Sequence, residues 1–351
     1  MIKKLILIIT LLFVFLGMTA CENNEIYDKN RYEAEFIELF DTFTKIVGYS
    51  ENEDEFKIYA QYIYDGLGEY HKLYDIYNDY DGINNIKMIN DNAGIKPVKV
   101  DQKIIDMLVF SKNMYDITDG KTNVAFGSVL EIWHEYRTKG IDDPENAKLP
   151  PIEDLQEAAK HTDINNVIID TEKSTVYLSD PLMSLDVGSI AKGYATEQIS
   201  KLIMEKGMDS GILSVGGNVR AINNNKKTNK PWSVGIQNPD SESEEPILKL
   251  VNLDNASMVS SGDYERYYSV DGKRYNHIIN PQTLFPAEKF TAVTVVCRDS
   301  GLADALSTAI YCMDFEEGYK MLETIEDTEA MWIFKDKSIK YSKNFESLIK
   351  E

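Results

Sequence analysis

The sequence predicts an α+β fold, built as a single large domain with mixed or antiparallel sheets. Helical and strand-like patterns alternate irregularly along the chain, without the regular βαβ rhythm of a doubly wound sheet. Several strand candidates lie close together in sequence, so they can pair antiparallel. No Gly-x-Gly-x-x-Gly pattern follows a strand, so a dinucleotide-binding fold of the Rossmann kind is not supported.

The first 20 residues form a segment separate from the domain. Lys3 and Lys4 precede an apolar run from Leu5 to Leu16, and mostly small residues lead to Cys21. This pattern is typical of a secretory signal, and the run is shorter than the roughly 20 residues of a spanning helix. The small residues before Cys21 resemble the lipobox of bacterial lipoproteins, which implies a lipid on its sulfur and a location on the outer face of the cell membrane. A plain cleaved signal or an uncleaved anchor is the alternative.

The chain is strongly acidic, with 37 basic and 58 acidic side chains and a formal net charge of −21. Loss of residues 1–20 removes two lysines and no acidic residue, which makes the charge −23. Binding of nucleic acid needs basic patches, so we expect no nucleic-acid partner. Peripheral binding to anionic lipid is equally disfavoured, so the acyl anchor would have to hold the protein at the membrane. The simplest interpretation of the acidity itself is solubility.

Residues 21–30 are interpreted as a polar tether that begins with the lipidated Cys21, and residues 31–351 as the domain. No repeat or low-complexity linker divides that domain. Proline, glycine and polar residues predict three surface loops: Gly140–Pro151, Asn223–Lys230 and Asp240–Pro246. Two cysteines remain in the domain, Cys297 and Cys312, and the sequence leaves open whether they pair or stay as buried free thiols.

Hydrophobic periodicity predicts two helices and four strands along the domain. The helix Phe56–Tyr74 is expected to place Ile58, Tyr62 and Leu67 on its apolar side, and a second helix is expected over Lys103–Tyr115. The predicted strands are Val167–Leu178, Gly211–Val215, Trp232–Gln237 and Phe290–Cys297.

The segment from Ser184 to Ala195 has the pattern of a strand, a tight turn and a helix start. A short strand ends at Asp186, Gly188 permits the turn, and a helix is expected from Ile190 through Leu202. Backbone N–H groups at such a helix start attract phosphate, and Lys192 adds a positive charge there. Asp186 can accept a hydrogen bond from a sugar or base. An ordinary strand–turn–helix with a solvent-exposed lysine is the alternative.

Two further segments carry glycine, serine and histidine. Gly216 and Gly217 follow an apolar strand, and a turn between strands is the simpler interpretation of this pair. The segments Ser260–Arg266 and Tyr275–Thr283 include His277, which lies between a strand-like run and an Asn-Pro turn. Its position suits a general base or a phosphate contact, while a lone histidine can equally be a packed or surface residue.

The segment Ser300–Ile310 predicts a helix that carries a cation site. Asp304 and Thr308 are four residues apart, so they project from one face. A carboxylate and a hydroxyl stacked in this way can bind a hard cation such as Mg²⁺. A helix with small residues for close packing is the alternative, but a charge in an apolar stretch is costly unless it is paired or metal-bound.

Taken together, these segments resemble the ApbE family of FAD:protein FMN transferases. The family's Asp-Leu-Gly-Gly-Ile-Ala-Lys-Gly-Tyr-Ala, Gly-Gly-Asn, Ser-Gly-Asp-Tyr-Glu-Arg, His-Ile-Ile-Asp-Pro and Ala-Asp-Ala-Leu-Ser-Thr-Ala motifs have counterparts here in the same order. Phe40-Asp41-Thr42 and Met88-Ile89-Asn90 resemble weaker early motifs. The similarity runs from about Phe40 to Phe334, and five motifs in order are far more specific than any one of them.

The resemblance implies an α+β fold with a core related to T-fold proteins and a cleft that holds FAD. Asp186 and Lys192 would contact FAD, and Mg²⁺ would bind the side chains of Asp304 and Thr308 and the backbone oxygen of Ser189. The resemblance gives catalytic roles to His277, Asp304 and Lys192. It also implies flavin contacts at Phe40, Tyr80, Asn123, Val124, Ala125 and Lys289.

The implied reaction moves FMN from FAD to a threonine or serine hydroxyl of another protein and releases AMP. The expected partners are membrane redox proteins that carry FMN on threonine. Such a transfer needs neutralised phosphate oxygens and alignment more than a strong nucleophile, and His277 could take the hydroxyl proton. The alternatives are a Mg²⁺-dependent FAD pyrophosphatase, which gives FMN and AMP, and a flavin-binding lipoprotein without catalysis.

Three departures from the family pattern lie near the expected site. Ser189 replaces a glycine, which is harmless if only its carbonyl binds metal. Asn280 replaces an aspartate that could orient His277. Leu284-Phe285 replaces a Thr-Gly turn, so we expect the loop beside the cleft to differ.

Overall fold

A computed structural model describes residues 27–240, 242–264 and 266–350. The predicted signal segment, the lipidation site Cys21 and most of the tether lie outside the described residues, as does Glu265 of one quoted motif. Their assignments therefore stay predictions. Among the residues that are described, none of the helices combines the length and the apolar character that crossing a membrane requires.

The strands of the described residues, in chain order, are β1 (Asn30–Phe36), β2 (Thr44–Ser50), β3 (Val98–Lys99), β4 (Val167–Asp170), β5 (Thr175–Leu178), β6 (Gly211–Val215), β7 (Asn218–Ile222), β8 (Trp232–Gln237), β9 (Ile247–Leu253), β10 (Ser257–Gly262), β11 (Tyr267–Val270), β12 (Lys273–Asn276), β13 (Phe290–Cys297), β14 (Glu329–Phe334) and β15 (Ile339–Tyr341). The helices are α1 (Glu53–Tyr74), α2 (Ile86–Asp91), α3 (Gln102–Ile117), α4 (Gly127–Asp142), α5 (Ile152–Ala158), α6 (Ala191–Glu205), α7 (Ser300–Tyr311) and α8 (Phe315–Leu322).

An eight-stranded sheet organises the molecule, in the order β1-β2-β6-β7-β10-β13-β14-β15. Each neighbouring pair is antiparallel. Smaller sheets β3-β5-β4, β8-β9 and β11-β12 surround it. The predicted α+β class with antiparallel pairing is confirmed.

The large sheet packs on both faces, because helices cover one face and the β8–β9 sheet lies on the other, while side chains alternate between the two. Ile46 of β2 packs into the core under α1 and α6, whereas its neighbour Val47 packs on the opposite face against β8 and β9. Helices α7 and α8 cover the β10–β13–β14 part, where Trp332 is fully buried. This layering brings α6 and α7 side by side on one face of the sheet.

The long helix α1 is confirmed, but its predicted apolar side is wrong. Ile58 and Tyr62 are 55% and 41% exposed, whereas Leu67 is buried as expected. The buried face follows Phe56, Tyr59, Ile63, Leu67 and Tyr70, a spacing of three and four residues. Ile58 lies two residues out of phase with Phe56, so it faces solvent.

Most other elements match their predicted bounds. The strands Gly211–Val215, Trp232–Gln237 and Phe290–Cys297 are found as predicted, and the helix over Lys103–Tyr115 is α3. The run Val167–Leu178 is a hairpin of β4 and β5, turning at Ser174 with φ of 51°. The predicted loop at Gly140 begins inside α4, which continues to Asp142.

Cys297 and Cys312 are both buried free thiols. Burial raises the pKa of each to about 12. They are therefore protonated at neutral pH, and the alternative of a disulfide between them is not found.

Strand direction separates two ends of the large sheet. At one end, Asn30 pairs with Ser50, and the tether side of the domain begins there. At the other end lie the β1–β2 connection, which includes Phe40, and the β6–β7 turn at Gly216 and Gly217. Most of the predicted site residues gather at this second end.

Candidate active site

A cavity of about 410 Å³ opens at this second end of the sheet, between α4, α6 and α7. Eight of the predicted site residues line it: Phe40, Asn123, Asp186, Ser189, Lys192, His277, Asp304 and Thr308. The predicted metal-binding pair of α7 and the predicted phosphate-binding turn therefore share one cavity, although more than 100 residues separate them in the chain.

Asp304 is 5% exposed and is held by two hydrogen bonds to its Oδ2. The backbone N–H of Gly193 donates at 2.8 Å and Asn218 Nδ2 donates at 3.3 Å. No bond to Oδ1 is found within the described residues, so that oxygen is available to a ligand. Burial raises the pKa of this carboxyl, and the positive charge of Lys192 partly offsets the rise. A cation at this carboxylate would lower that pKa further.

Gly193 is required here by close approach rather than by a turn. A Cβ built on it would lie 2.3 Å from the carbonyl oxygen of Ser300 and 2.4 Å from the Cβ of Asp304. Helices α6 and α7 therefore touch at this residue, and the contact allows the Gly193 N–H to reach Asp304.

The turn before α6 presents backbone and side chains to the cavity. Asp186 is tied to the loop before α4, since its N–H donates to the Val124 carbonyl at 2.9 Å. Its Oδ1 accepts from the Gly188 N–H at 2.8 Å. Gly188, Ser189 and Lys192 all line the cavity. The helix begins at Ala191 and runs to Glu205, against the predicted Ile190–Leu202.

His277 follows β12 directly and has a defined tautomer. Its Nδ1 lies 3.2 Å from the carbonyl oxygen of Arg266, which can only accept, so Nδ1 carries the proton. The lone pair of Nε2 is then available to take a proton from a ligand. Burial lowers the pKa of His277 to about 3, with additional lowering from the positive charges of Arg266, Lys192 and Arg137. The ring is therefore neutral at physiological pH.

Several residues of the cavity wall were not predicted from the sequence. His134 and Arg137 lie three residues apart on α4, so they share one face, and both line the cavity with Arg266. His134 Nδ1 lies 2.9 Å from the Tyr77 hydroxyl, and burial lowers the pKa of this histidine. The helical spacing of His134 and Arg137, next to Trp133, is the sequence signal that could have identified them.

Four predicted flavin contacts do not line the cavity. The Tyr80 hydroxyl donates to Asp75 Oδ2 at 2.7 Å, and Asp75 is the residue at the cavity wall. Val124 and Ala125 are buried in the core, behind Asn123. Lys289 pairs with Asp314 at the surface. Tyr80, Val124 and Ala125 therefore lie behind the cavity wall and can support it. Lys289 does not contact the cavity.

Two of the residues that depart from the family pattern, Asn280 and Leu284, lie in the loop beside His277. Asn280 does not orient the histidine: its Nδ2 donates to the Cys312 carbonyl at 2.8 Å and its Oδ1 accepts from the Gln282 N–H at 2.9 Å. An ionised aspartate could not make the first of these bonds. Leu284 adopts a positive φ of 63°, a conformation that favours glycine. Its carbonyl accepts from Trp133 Nε1 at 2.9 Å, which holds the loop on α4.

The oxygen atoms at α7 fit a hard cation whose remaining coordination positions are filled by phosphate. In the described part of the chain, no group of three or more His, Cys, Asp and Glu side chains is arranged to hold a metal. Asp304 and Thr308 instead offer one carboxylate and one hydroxyl at the cavity wall, with the turn at Ser189 beside them. Mg²⁺ is commonly held by one or two carboxylates, with phosphate and water filling the other positions.

Comparison with known proteins agrees with this geometry. The model of the ApbE family matches residues 40–332. The chain belongs to the ApbE family. Among curated ApbE relatives, the FAD:protein FMN transferase of Treponema pallidum is 32% identical over 267 residues, which is 72% of each chain. The FAD:protein FMN transferase of Klebsiella pneumoniae is 29% identical over 252 residues, 72% of this chain and 75% of the relative.

Solved ApbE structures share the fold. The ApbE protein of Thermotoga maritima superposes with a TM-score of 0.81 at 27% identity, over 92% of this chain and 100% of that one. The flavin transferase ApbE of Vibrio cholerae gives a TM-score of 0.75 at 20% identity, over 91% and 99% of the two chains, and supports the fold alone. The predicted ApbE-like single domain is thus confirmed.

Proposed function

We propose that this ApbE-family chain is an enzyme that transfers the FMN half of FAD to a hydroxyl of another protein and releases AMP. The observation that carries the proposal is the meeting of Asp304, Thr308, Asp186, Lys192 and His277 in one cavity. Curated relatives are named for this transfer, and one of them is 32% identical over 72% of both chains.

The reaction is a displacement at phosphorus. The acceptor oxygen forms a bond to the phosphorus of the FMN half, and the bond from that phosphorus to the oxygen of the AMP phosphate breaks. AMP leaves with the bonding electron pair. The neutral Nε2 of His277 takes the proton of the acceptor hydroxyl, since Nδ1 already donates to the Arg266 carbonyl. General base catalysis of this kind contributes roughly 10²- to 10⁴-fold.

Bound pyrophosphate would make His277 a stronger base. Three positive charges, on Arg266, Lys192 and Arg137, lower the pKa of His277 in addition to burial. A diphosphate bound among them compensates those charges, so the pKa of the histidine rises towards its usual value. The same three side chains line the cavity and supply fixed positive charge for the phosphate oxygens.

We propose Mg²⁺ as the cofactor, held by the side chains of Asp304 and Thr308 and the backbone oxygen of Ser189. When bound, the ion would neutralise charge on the pyrophosphate and on the leaving AMP. The protein's own contribution is to fix the Asp304 carboxylate with Gly193 and Asn218 before any ligand arrives. Its second oxygen is left for the cation.

The acceptor is proposed to be a threonine or serine of membrane redox proteins. The lipobox-like segment ending at Cys21 supports an enzyme anchored by lipid on the outer face of the cell membrane. FAD is the second substrate. An acceptor hydroxyl must reach the cavity beside His277, so the acceptor segment must be exposed and extended enough to enter it.

The deciding experiment combines purified enzyme, FAD, Mg²⁺ and a threonine-bearing acceptor protein. We expect a covalent mass increase of FMN size on the acceptor, and AMP in equal amount, measured by mass spectrometry and chromatography. Free FMN with unmodified acceptor would identify a pyrophosphatase instead. Bound FAD without either product would identify a flavin-binding protein without catalysis.

The change Asp304→Ala tests the site itself. Without the carboxylate, we expect flavinylation to fall by about 10²- to 10³-fold, as when a charge-stabilising group is removed from an active site. Asp106→Ala is the matched control, because Asp106 is exposed on α3 and does not line the cavity. Normal flavinylation by the Asp304→Ala enzyme would remove this residue from the mechanism.

A further inference from the structure

Glu197 of α6 and Arg220 of β7 form an ion pair beneath the cavity. They are 2% and 4% exposed, and Arg220 Nε lies 3.0 Å from Glu197 Oε2. The same oxygen accepts from the backbone N–H of Ser300 at 3.0 Å. One carboxylate oxygen thus joins α6, β7 and the first residue of α7. We call Glu197, Arg220 and Ser300 the Glu197 layer.

The site carboxylate has the same kind of partners. Asp304 Oδ2 accepts from one backbone N–H, of Gly193 on α6, and from one side chain of β7, of Asn218. We call Asp304, Gly193 and Asn218 the Asp304 layer. In both layers a single carboxylate oxygen joins the same three elements, although the carboxylate comes from α7 in one layer and from α6 in the other.

The two layers are in register. On α6, Gly193 precedes Glu197 by four residues, and on α7, Ser300 precedes Asp304 by four residues, which is one helical turn in each case. On β7 the two donors are two residues apart, so they project from the same face of the strand. The Glu197 layer therefore repeats the Asp304 layer one turn further from the cavity.

The Glu197 layer also completes the start of α7. Asp299 caps this helix by accepting from the N–H groups of Gly301 and Leu302. The N–H of Ser300 is another of the groups that have no partner within the helix. Glu197 supplies its acceptor, and a negative charge is favourable at a helix N-terminus. An apolar side chain could fill the same space but could not accept a hydrogen bond from the Ser300 N–H.

We infer that Glu197 and Arg220 are positioning residues for Asp304. They fix the separation and register of α6 and α7 on β7, and thereby hold the Asp304 carboxylate where Gly193 and Asn218 orient its second oxygen towards the cavity. This inference rests on the proposed function, because it gives Asp304 the role of cation ligand. Groups that orient a metal ligand typically change metal affinity 10- to 100-fold when they are removed.

Two substitutions at Ser300 test the contact with Glu197. Ser300→Pro deletes the N–H and puts its ring Cδ where the N–H pointed, so it also displaces the Glu197 carboxylate, which lies 3.0 Å from the nitrogen. Proline itself is well tolerated at the first position of a helix. Asp299, with φ of −107° and ψ of 126°, already has the extended conformation that a residue before proline requires. Ser300→Ala is the matched control, because it keeps the N–H and removes only a hydroxyl that has no hydrogen-bond partner within the described structure.

The measurement is the dissociation constant for Mn²⁺ alone, from the free Mn²⁺ signal in electron paramagnetic resonance. We expect Ser300→Pro to raise this constant about tenfold or more, and Ser300→Ala to leave it within about twofold of the unchanged protein. Equal Mn²⁺ affinities of the two variants would overturn the inference.

A double variant, Glu197→Met with Arg220→Met, separates positioning from folding. Replacement of a buried ion pair by apolar side chains of similar volume is often neutral or stabilising. The change also leaves the buried Ser300 N–H without an acceptor, so we expect a folded protein with a modestly lower Tm and with Mn²⁺ affinity lowered by about the same factor as in Ser300→Pro. Wild-type affinity in a folded double variant would contradict the positioning role. So would failure of both this variant and Ser300→Pro to fold while Ser300→Ala folds, because the pair would then serve the fold.

Asp304→Ala in the same titration tests the cation site separately from the positioning role of Glu197 and Arg220. If that variant keeps the Mn²⁺ affinity, the cation site of the proposed function is wrong. If it loses the affinity while Ser300→Pro keeps it, the site stands and only the positioning role of Glu197 and Arg220 fails.

Discussion

At the residue scale, the protonation of His277 shows how its surroundings decide its chemistry. Burial and three nearby positive charges lower its pKa to about 3 in the folded protein. In the unfolded chain a histidine has a pKa of about 6.5. Below pH 6.5 the unfolded chain therefore binds a proton that the folded protein does not, and stability must fall as the pH falls.

This difference predicts the pH dependence of stability. The contribution of His277 is fully present above pH 6.5 and is lost progressively as the pH falls towards 3. His277→Asn lacks it, so between pH 7 and 4.5 the variant should lose less stability than the unchanged protein. The measurement is the urea midpoint of each protein at both pH values. Parallel decreases would show that His277 is not held neutral by its surroundings.

Several residues that line the cavity were predicted from the sequence as site residues. Asp304, Thr308, Asp186 and Lys192 were identified because a charged or hydroxyl side chain stands out in an apolar or turn segment, and the cavity contains all four. His134 and Arg137 were missed because no helix was predicted over the segment that forms α4. Only the packing of α4 beside the site turns their face inward.

At the scale of elements, the contact between α6 and α7 decides the geometry of the site. Gly193 lies where a Cβ would be 2.3 Å from the Ser300 carbonyl. The sequence predicted both helices but not their contact, because hydrophobic periodicity reports which face is buried and not what it is buried against. For α1 even the face was assigned wrongly, since its exposed side also carries Ile58 and Tyr62.

Gly193→Ala should force α6 and α7 apart. We expect it to cost about 1–3 kcal/mol of unfolding free energy, which is typical of an overpacked contact. Flavinylation should fall as well, because the Gly193 N–H moves away from Asp304 and its hydrogen bond to the carboxylate is lost. The matched control is Gly68→Ala in α1, where the nearest atom to an added Cβ is 3.9 Å away. That change should stabilise by about 0.5–1 kcal/mol, as alanine replaces glycine inside a helix.

Urea unfolding of both glycine variants gives the comparison. A Gly193→Ala protein as stable and as active as the Gly68→Ala protein would show that the two helices can separate at this point without loss.

At the scale of the whole molecule, the domain and its tether meet at the end of the sheet opposite the cavity. Tyr27 donates from its hydroxyl to Asp209 at 2.9 Å, and Lys29 lies 3.3 Å from the same carboxylate. The strands between this contact and the cavity loop are seven residues long, about 23 Å at the rise of a β-strand. The described chain thus begins at the end of the sheet away from the cavity.

Removal of the anchor should therefore change location and leave the chemistry intact. We expect the unchanged protein to incorporate labelled fatty acid and Cys21→Ala to incorporate none. A variant whose residues 1–21 are replaced by a cleavable secretory signal should move from the membrane fraction to the soluble extracytoplasmic fraction, with an unchanged rate on a soluble acceptor. Equal incorporation of fatty acid by Cys21→Ala and the unchanged protein would contradict lipidation at this residue.

The overall fold was predictable as a class but not as an arrangement. Strand patterns identified β6, β8 and β13 with their bounds, and the irregular alternation of helices and strands correctly indicated α+β. The strand order could not be read from the chain, because β2 pairs with β6 across more than 160 residues. Such pairings depend on which buried faces fit together, and single-sequence patterns do not encode that.

The shared carboxylate of Glu197 also restricts how relatives of this chain can diverge. A neutral residue at position 197 alone would leave the guanidinium of Arg220 buried without its counter-charge, at a cost on the order of 3–5 kcal/mol. Substitutions at these two positions, 23 residues apart, are therefore expected to be inherited together. In an alignment of the family they should covary, with either both charges kept or both lost.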